Sequence, residues 1–165
     1  MKYTISVLVE NHAGALSRIS GLFSRRGFNI ESLAVGITDD PKISRITIIV
    51  DGDEHIVEQV EKQLNKLIDV IKVKTLTKEE KLERELILIK LRVPAEKRSE
   101  IMTIADITGA KVIDISLTTM TILLADTYAH ICRLEEITKP YDVLEVVRTG
   151  TIAIQKGQDT MTFKK

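Results

Sequence analysis

Residues 4–38 read TISVLVENHAGALSRISGLFSRRGFNIESLAVGIT, and the change of hydrophobic period inside that stretch decides the fold. Ile5, Val7 and Val9 fall at every second position, the signature of a strand with one buried face. Asn11-His12-Ala13-Gly14 interrupts the pattern, after which Leu16, Ile19, Leu22 and Phe23 recur three or four residues apart, as an amphipathic helix requires. Arg25-Arg26-Gly27 predicts where that helix stops, because cations favour the C-terminal end of the helix dipole and glycine accepts the left-handed conformation that closes it. Residues 29–38 return to a strand pattern.

Working outward, Asp39-Asp40-Pro41 predicts a turn, residues 43–50 a third strand, and Asp51-Gly52-Asp53 a second turn. Ile56, Val60, Leu64 and Leu67 mark another amphipathic helix with Asp53 as its cap, and residues 70–76 form a fourth strand. Residues 1–76 therefore carry the order βαββαβ. Residues 77–84, TKEEKLER, are almost wholly charged and read as a linker. The order then repeats over 85–150. ELILIKLRV is a strand ended by Pro94, Ile101, Ile104 and Ala105 mark a helix closed near Gly109, and 111–117 and 121–125 are paired strands. Residues 128–138 make a short helix and 143–147 the last strand. Residues 151–165, poor in apolar side chains toward their end, read as a mobile tail.

The fold class is thus α+β, two tandem ferredoxin-like βαββαβ domains, each an antiparallel sheet with two helices on one face. A unit of this size leaves the other face of its sheet open. Its apolar strands imply that this face, or a sheet edge, is covered by another chain.

The 165 residues are 44% hydrophobic and 29% charged, a globular composition, with aromatics at 4% and no tryptophan. Lys plus Arg and Asp plus Glu both number 24, so neither nucleic acid nor an anionic membrane is implied as a partner by charge. An RNA-reading version of the fold needs exposed aromatics and a basic face, and both are lacking. Cys132 is the single cysteine, which allows no disulfide framework within the chain and reads as a small apolar helix residue. The strand pattern begins at once and no long apolar run occurs, which predicts a cytoplasmic protein without a membrane segment.

No catalytic centre is legible. His12, His55 and His130 fall in unrelated places and give neither metal-ligand spacing nor a nucleophile-base pair. Asp51-Gly52-Asp53 is turn punctuation rather than a diphosphate motif, and no glycine-rich phosphate loop follows a strand. No catalytic residue, bound metal or bound cofactor is expected.

The informative place is the junction of the first strand and helix. Gly14 allows close backbone approach, and the first N–H groups of a helix, near Gly14, Ala15 and Leu16, lack intrahelical acceptors and suit a carboxylate. Asn11 can supply an amide to an amino-acid head group. On these residues alone the plainer reading makes Asn11 a helix cap and Gly14 a steric relief, and His12 a solvated loop residue.

Glu10-Asn11-x-x-Gly14-x-Leu16, followed by a helix ending in Arg26-Gly27-Phe28-Asn29-Ile30-Glu31-Ser32-Leu33, resembles the ACT domain, an amino-acid-binding module. More narrowly, the chain resembles the acetolactate (acetohydroxyacid) synthase small-subunit family, a likeness that continues through SRITIIVDGDE, LIDVIKV, ELILIKLRV and LEVVRTGTIAIQKG. The resemblance implies a homodimeric regulatory subunit without catalysis of its own, acting on a large catalytic subunit that carries thiamine diphosphate, magnesium and FAD. It implies feedback by a branched-chain amino acid, valine foremost, held between protomers. Asn11, His12, Ala13, Gly14 and Leu16 would line one wall, and Asn29 and Ile30 would come from the neighbouring chain. Position 12 often holds another residue in the family, which bears on affinity and effector preference. The second half starts its helix from Pro94-Ala95-Glu96-Lys97, without the Asn-x-x-Gly turn, so no equivalent site is expected there. Glu145, Arg148, Thr149 and Gly150 read as an ion pair and turn that shape this domain. A free-standing amino-acid sensor acting on another enzyme or a transcription factor is the rival reading.

Overall fold

Alternation in the first strand is realised directly. Ile5, Val7 and Val9 of β1 (Lys2–Glu10) point to one side and are fully buried. The computed structural model describes residues 1–162, which divide into one unit of residues 1–82 with the segment from Thr151 onward, and a second of residues 83–150.

In the first unit β1 is followed by α1 (Ala15–Arg26), β2 (Ile30–Ile37), β3 (Ile43–Asp51), α2 (Glu54–Leu64) and β4 (Val70–Leu76). The strands form an antiparallel sheet in the order β2-β3-β1-β4. The register sets Ile5 opposite Ile48 and Val7 opposite Ile46, so both central strands turn their aliphatic side toward the helices. There they meet Ile19, Leu22 and Phe23 of α1 and Val57, Val60 and Leu64 of α2. Gly27 ends α1 at φ 67°. Its N–H donates to the Ser24 carbonyl at 3.3 Å, and that of Phe28 to the Phe23 carbonyl at 3.1 Å. The Phe23 and Phe28 rings meet edge to face at 6.0 Å, the apolar contact that accompanies this type of helix stop. Asp53 caps α2, its carboxylate accepting from the Ile56 N–H at 2.9 Å.

The opposite face of this sheet corrects two expectations. Thr4, Ser6 and Leu8 of β1 and Thr47 and Ile49 of β3 are buried there, and the cover is the chain's own C-terminal segment. The reading of 151–165 as a mobile tail therefore fails for the described part; residues 163–165 lie outside the described residues. β9 (Ile152–Gln155) pairs with β5 (Lys81–Arg92), and the Lys156 N–H donates to the Glu80 carbonyl at 2.7 Å. The Thr151 N–H donates to Ser32 Oγ at 3.0 Å, and Lys74 Nζ to Gln155 Oε1 at 2.8 Å. Met161 is buried against Leu8, Ile43 and Ile71. Hydrophobicity could not disclose this packing because the inward positions Thr151, Ala153 and Gln155 are small or polar, matching a polar sheet face, while Ile152 and Ile154 point outward. The linker read over 77–84 shrinks for a related reason. Residues 77–80 form the turn, and residues 81–84, charged except for Leu82, are already strand, their backbone in a ladder and side chains alternating in exposure.

The second unit repeats the topology. β5, α3 (Arg98–Thr108), β6 (Lys111–Ile115), β7 (Thr119–Asp126), α4 (Tyr128–Thr138) and β8 (Asp142–Arg148) give the strand order β6-β7-β5-β8, with a single 3-10 turn at Ala95–Lys97 leading into α3. Ile87, Ile89 and Leu91 of β5 and Met120, Ile122 and Leu124 of β7 pack on Ile101 and Ala105 of α3 and on Ile131 and Leu134 of α4. Arg148 forms the ion pair anticipated at this end, but not with Glu145. Its Nε and Nη2 reach the buried Glu85 carboxylate at 2.7 and 3.1 Å, its Nη1 reaches Glu135 at 3.1 Å, and its guanidinium lies 5.2 Å from the Tyr128 ring centre. Glu85 foremost, then Glu135, raises the pKa of Arg148 further and keeps it charged. Gly150 follows at φ 79°, between β8 and β9. The edge strand β8 exposes Val143, Leu144, Val146 and Val147. No helix among the described residues is long and apolar enough to cross a membrane.

Two substitutions check this architecture. Arg148→Ala leaves the buried Glu85 carboxylate without its guanidinium and is expected to lower stability by about 3 kcal/mol, read from the urea midpoint. Met161→Ala is expected to cost about 2 kcal/mol in the same measurement, whereas a residue in a mobile tail would cost nothing.

Candidate effector-binding site

The end of β1 and the start of α1 are held by contacts that local sequence does not announce. Asn11 does not cap the helix. Its Nδ2 donates to the Pro41 carbonyl at 2.8 Å and its backbone N–H to the Lys42 carbonyl at 2.7 Å, clasping the β1–α1 loop to the β2–β3 turn. This commitment leaves Asn11 Oδ1 as the acceptor of that side chain. The residue before the helix is Gly14, at φ 94° and ψ −17°, and no side chain caps α1. The Ala15 N–H is bound weakly by the His12 carbonyl at 3.4 Å, and among the described residues no acceptor meets the N–H groups of Gly14, Leu16 or Ser17. These amides sit at the positive end of a twelve-residue helix, beside the exposed side chain of Leu16.

A second layer lies behind the loop. Asp69, between α2 and β4, is 4% exposed. Its carboxylate accepts from Arg18 Nη1 at 2.9 and 3.1 Å and is joined to His12 Nε2 at 3.0 Å. The Asp69 carbonyl also accepts the Glu10 N–H at 2.9 Å. His12 Nδ1 is 2.9 Å from the Ala13 carbonyl, and Glu10 Oε2 is 3.7 Å from Nε2. The Ala13 carbonyl, then Asp69, raises the His12 pKa above its ordinary value, with desolvation opposing. Glu10, His12 and Asp69 bring ligand atoms within 4.8 Å of one another, but the Arg18 guanidinium already holds both Asp69 oxygens, so a cation would have to displace it.

Of the seven residues singled out from sequence, Asn11, His12, Ala13, Gly14 and Leu16 lie together in this loop and first helical turn. Asn29 and Ile30 do not join them. Asn29 is exposed just before β2, and Ile30 pairs with Val50, which faces Tyr3 at the start of β1. From Tyr3 to Asn11 the strand runs roughly 25 Å at about 3.3 Å per residue, so one copy of the chain cannot bring both groups to one ligand. Asp69 and the Pro41 carbonyl went unseen from sequence because only the antiparallel register places their distant segments at the end of β1, and Arg18 because its role depends on Asp69.

Gly14 adopts a positive φ in open space, with nothing within 4 Å of an added Cβ. Gly14→Ala therefore meets only backbone strain, and is expected to cost about 1 kcal/mol in chemical unfolding.

Residues 5–72 match the family model described as AHAS small subunit-like ACT domain, and residues 84–157 match that of the small subunit of acetolactate synthase. The chain is 47% identical over 157 residues to a probable acetolactate synthase small subunit of Archaeoglobus fulgidus, covering 95% of this chain and 98% of that one. It is likewise 47% identical over 162 residues to the acetolactate synthase small subunit of Haemophilus influenzae, covering 96% and 98%. The crystal structure of the acetolactate synthase small subunit from Thermotoga maritima superposes with a TM-score of 0.90 at 35% identity, covering 96% of this chain and 99% of that one. The chain belongs to the acetolactate synthase small-subunit family.

Proposed function

We propose that the chain regulates acetolactate synthase by binding a branched-chain amino acid at the start of α1, and that it performs no chemistry itself. The observation that carries this reading is the uncapped first turn, where the amides of Gly14, Leu16 and Ser17 meet no acceptor among the described residues and lie next to an exposed aliphatic side chain. The amides suit the carboxylate of an amino acid, Asn11 Oδ1 suits its ammonium group, and Leu16 suits a branched aliphatic side chain. The strong charges nearest the loop are tied to one another in the Asp69, Arg18 and His12 cluster, an arrangement for positioning rather than for proton transfer.

Asn29 and Ile30 lie at the far end of β2, so they complete the pocket only from a second copy, which supports a homodimer with effector sites between protomers. The large catalytic subunit supplies thiamine diphosphate, magnesium and FAD, and the apolar edge of the second unit at β8 offers one surface for association with another chain. We place the assembly in the cytoplasm. An aliphatic pocket separates ligands that differ by one methylene by only ~1–3 kcal/mol, so valine, the effector the family resemblance puts foremost, competes at this site with leucine and isoleucine. Coupling of effector to catalysis is worth ~1–3 kcal/mol.

Reconstitution with the large subunit tests this. Activity is expected to rise when the chain is added and to fall when valine is then supplied. Asn11→Ala is expected to raise the valine concentration needed by about ten-fold, equivalent to one lost polar contact to a charged group. Activity indifferent to valine, leucine and isoleucine alike would remove the feedback role.

A further inference from the structure

The two ring nitrogens of His12 face two oxygens. Nδ1 lies 2.9 Å from the Ala13 carbonyl and Nε2 lies 3.0 Å from a carboxylate oxygen of Asp69. Neither oxygen can donate, since one belongs to a peptide and the other to a carboxylate held by the Arg18 guanidinium. A neutral imidazole carries one N–H, so either tautomer would set a lone pair against an oxygen. Only the imidazolium, with an N–H on each nitrogen, makes both bonds.

We propose that His12 is a charged positioning residue of the effector loop, which as an imidazolium ties the Ala13 carbonyl to Asp69 and makes effector affinity fall as pH rises. The proposal rests on the effector reading above and adds to it a charge state for His12 and a pH response. The tie acts on the site through one peptide unit. In a trans peptide the N–H points opposite to the carbonyl, and no cis bond occurs among the described residues. Fixing the Ala13 carbonyl toward the imidazolium therefore directs the Gly14 N–H, one of the free amides, away from it and toward the side open to a ligand.

The charged groups around the ring balance when His12 is protonated. Glu10 from β1 approaches Nε2 at 3.7 Å, Asp69 from the α2–β4 turn lies at 3.0 Å, and Arg18 from α1 donates to both oxygens of the Asp69 carboxylate. Two carboxylates then face a guanidinium and an imidazolium, and loss of the proton leaves one negative charge in excess. The raised pKa of His12 agrees with this, its leading cause being the Ala13 carbonyl and its second Asp69. Because the pKa is raised, the tie is complete below the ordinary imidazole value of about 6.5 and is lost as pH climbs through the higher one.

The test uses the full-length chain, with histidine labelled for NMR and valine binding followed by calorimetry near pH 6 and near pH 8, where free valine remains zwitterionic. His12 is expected to titrate above about 6.5, and saturating valine to raise that value again, because coupling between proton and ligand is reciprocal. Valine should bind at least about five-fold more tightly near pH 6, the size that a pKa change of under one unit on binding produces. In His12→Gln, which keeps a polar side chain of similar reach without the titration, that pH dependence should vanish. A His12 that titrates at or below the ordinary value, or a slope that persists in His12→Gln, overturns the proposal. Valine that fails to bind at either pH, with His12 still titrating high, overturns the effector reading and the pH response with it, but leaves the charged tie standing. The two failures are therefore distinguishable.

Discussion

A four-stranded sheet with both helices on one side has a second face, and what covers it governs how the rest of this chain is arranged. In the first unit, strand alternation delivers Ile5, Val7, Ile46 and Ile48 to the helices and leaves Thr4, Ser6, Leu8 and Thr47 on the other side. A face of that mixed character is not an oily surface seeking any hydrophobe. Its hydroxyls are met by Arg45, whose Nε donates to Ser6 Oγ at 2.9 Å, and by Lys81, whose Nζ donates to Thr4 Oγ1 at 2.7 Å, while the returning C-terminal segment adds further polar bonds and fills an apolar seat. Thr151 and Gln155 meet Ser32 and Lys74, while Met161 fills the seat beside Leu8 and Ile43. A polar group buried without a partner costs more than a modest hydrogen bond contributes, so this complementarity, rather than apolar area, selects the cover.

The candidate site grows from the same geometry. Antiparallel pairing brings the end of β1 beside the β2–β3 turn and the entry to β4. Asn11 is thereby spent on Pro41, and Asp69 is placed beneath the loop, where Arg18 and His12 converge. The first turn of α1 is left uncapped as a consequence, since the one side chain that could cap it points elsewhere. A helix start with free amides is common. Here it is also held in place from behind by a buried carboxylate, which gives the loop a fixed conformation to offer a ligand. The second unit has the same strand order but begins α3 through a 3-10 turn after Pro94, and its buried ion pair, Arg148 with Glu85 and Glu135, shapes the domain rather than a pocket.

Much of the fold was legible in the sequence because its signals are local. The switch from period two to helical spacing after Glu10, the left-handed stop at Gly27 and the cap at Asp53 each depend on residues within a turn or two of one another. The repeated element order followed from them, and the two motifs flanking α1 identified the family. Local signals failed where charge and polarity masked order. The largely charged residues 81–84 are strand because a ladder satisfies their backbone, and residues 152–155 are strand although their inward positions are small or polar.

The sequence by itself thus determined the elements of the two βαββαβ units, their order, and the loop that holds the candidate site. Only the tertiary structure decided that Asp69 joins Arg18 and His12, that Asn11 is committed to Pro41, and that the C-terminal segment covers the first sheet. Those contacts join residues 30 or more positions apart, such as Asn11 with Pro41 and His12 with Asp69. Strand order and register alone fix such proximity, and neither leaves a mark in the spacing of neighbouring residues.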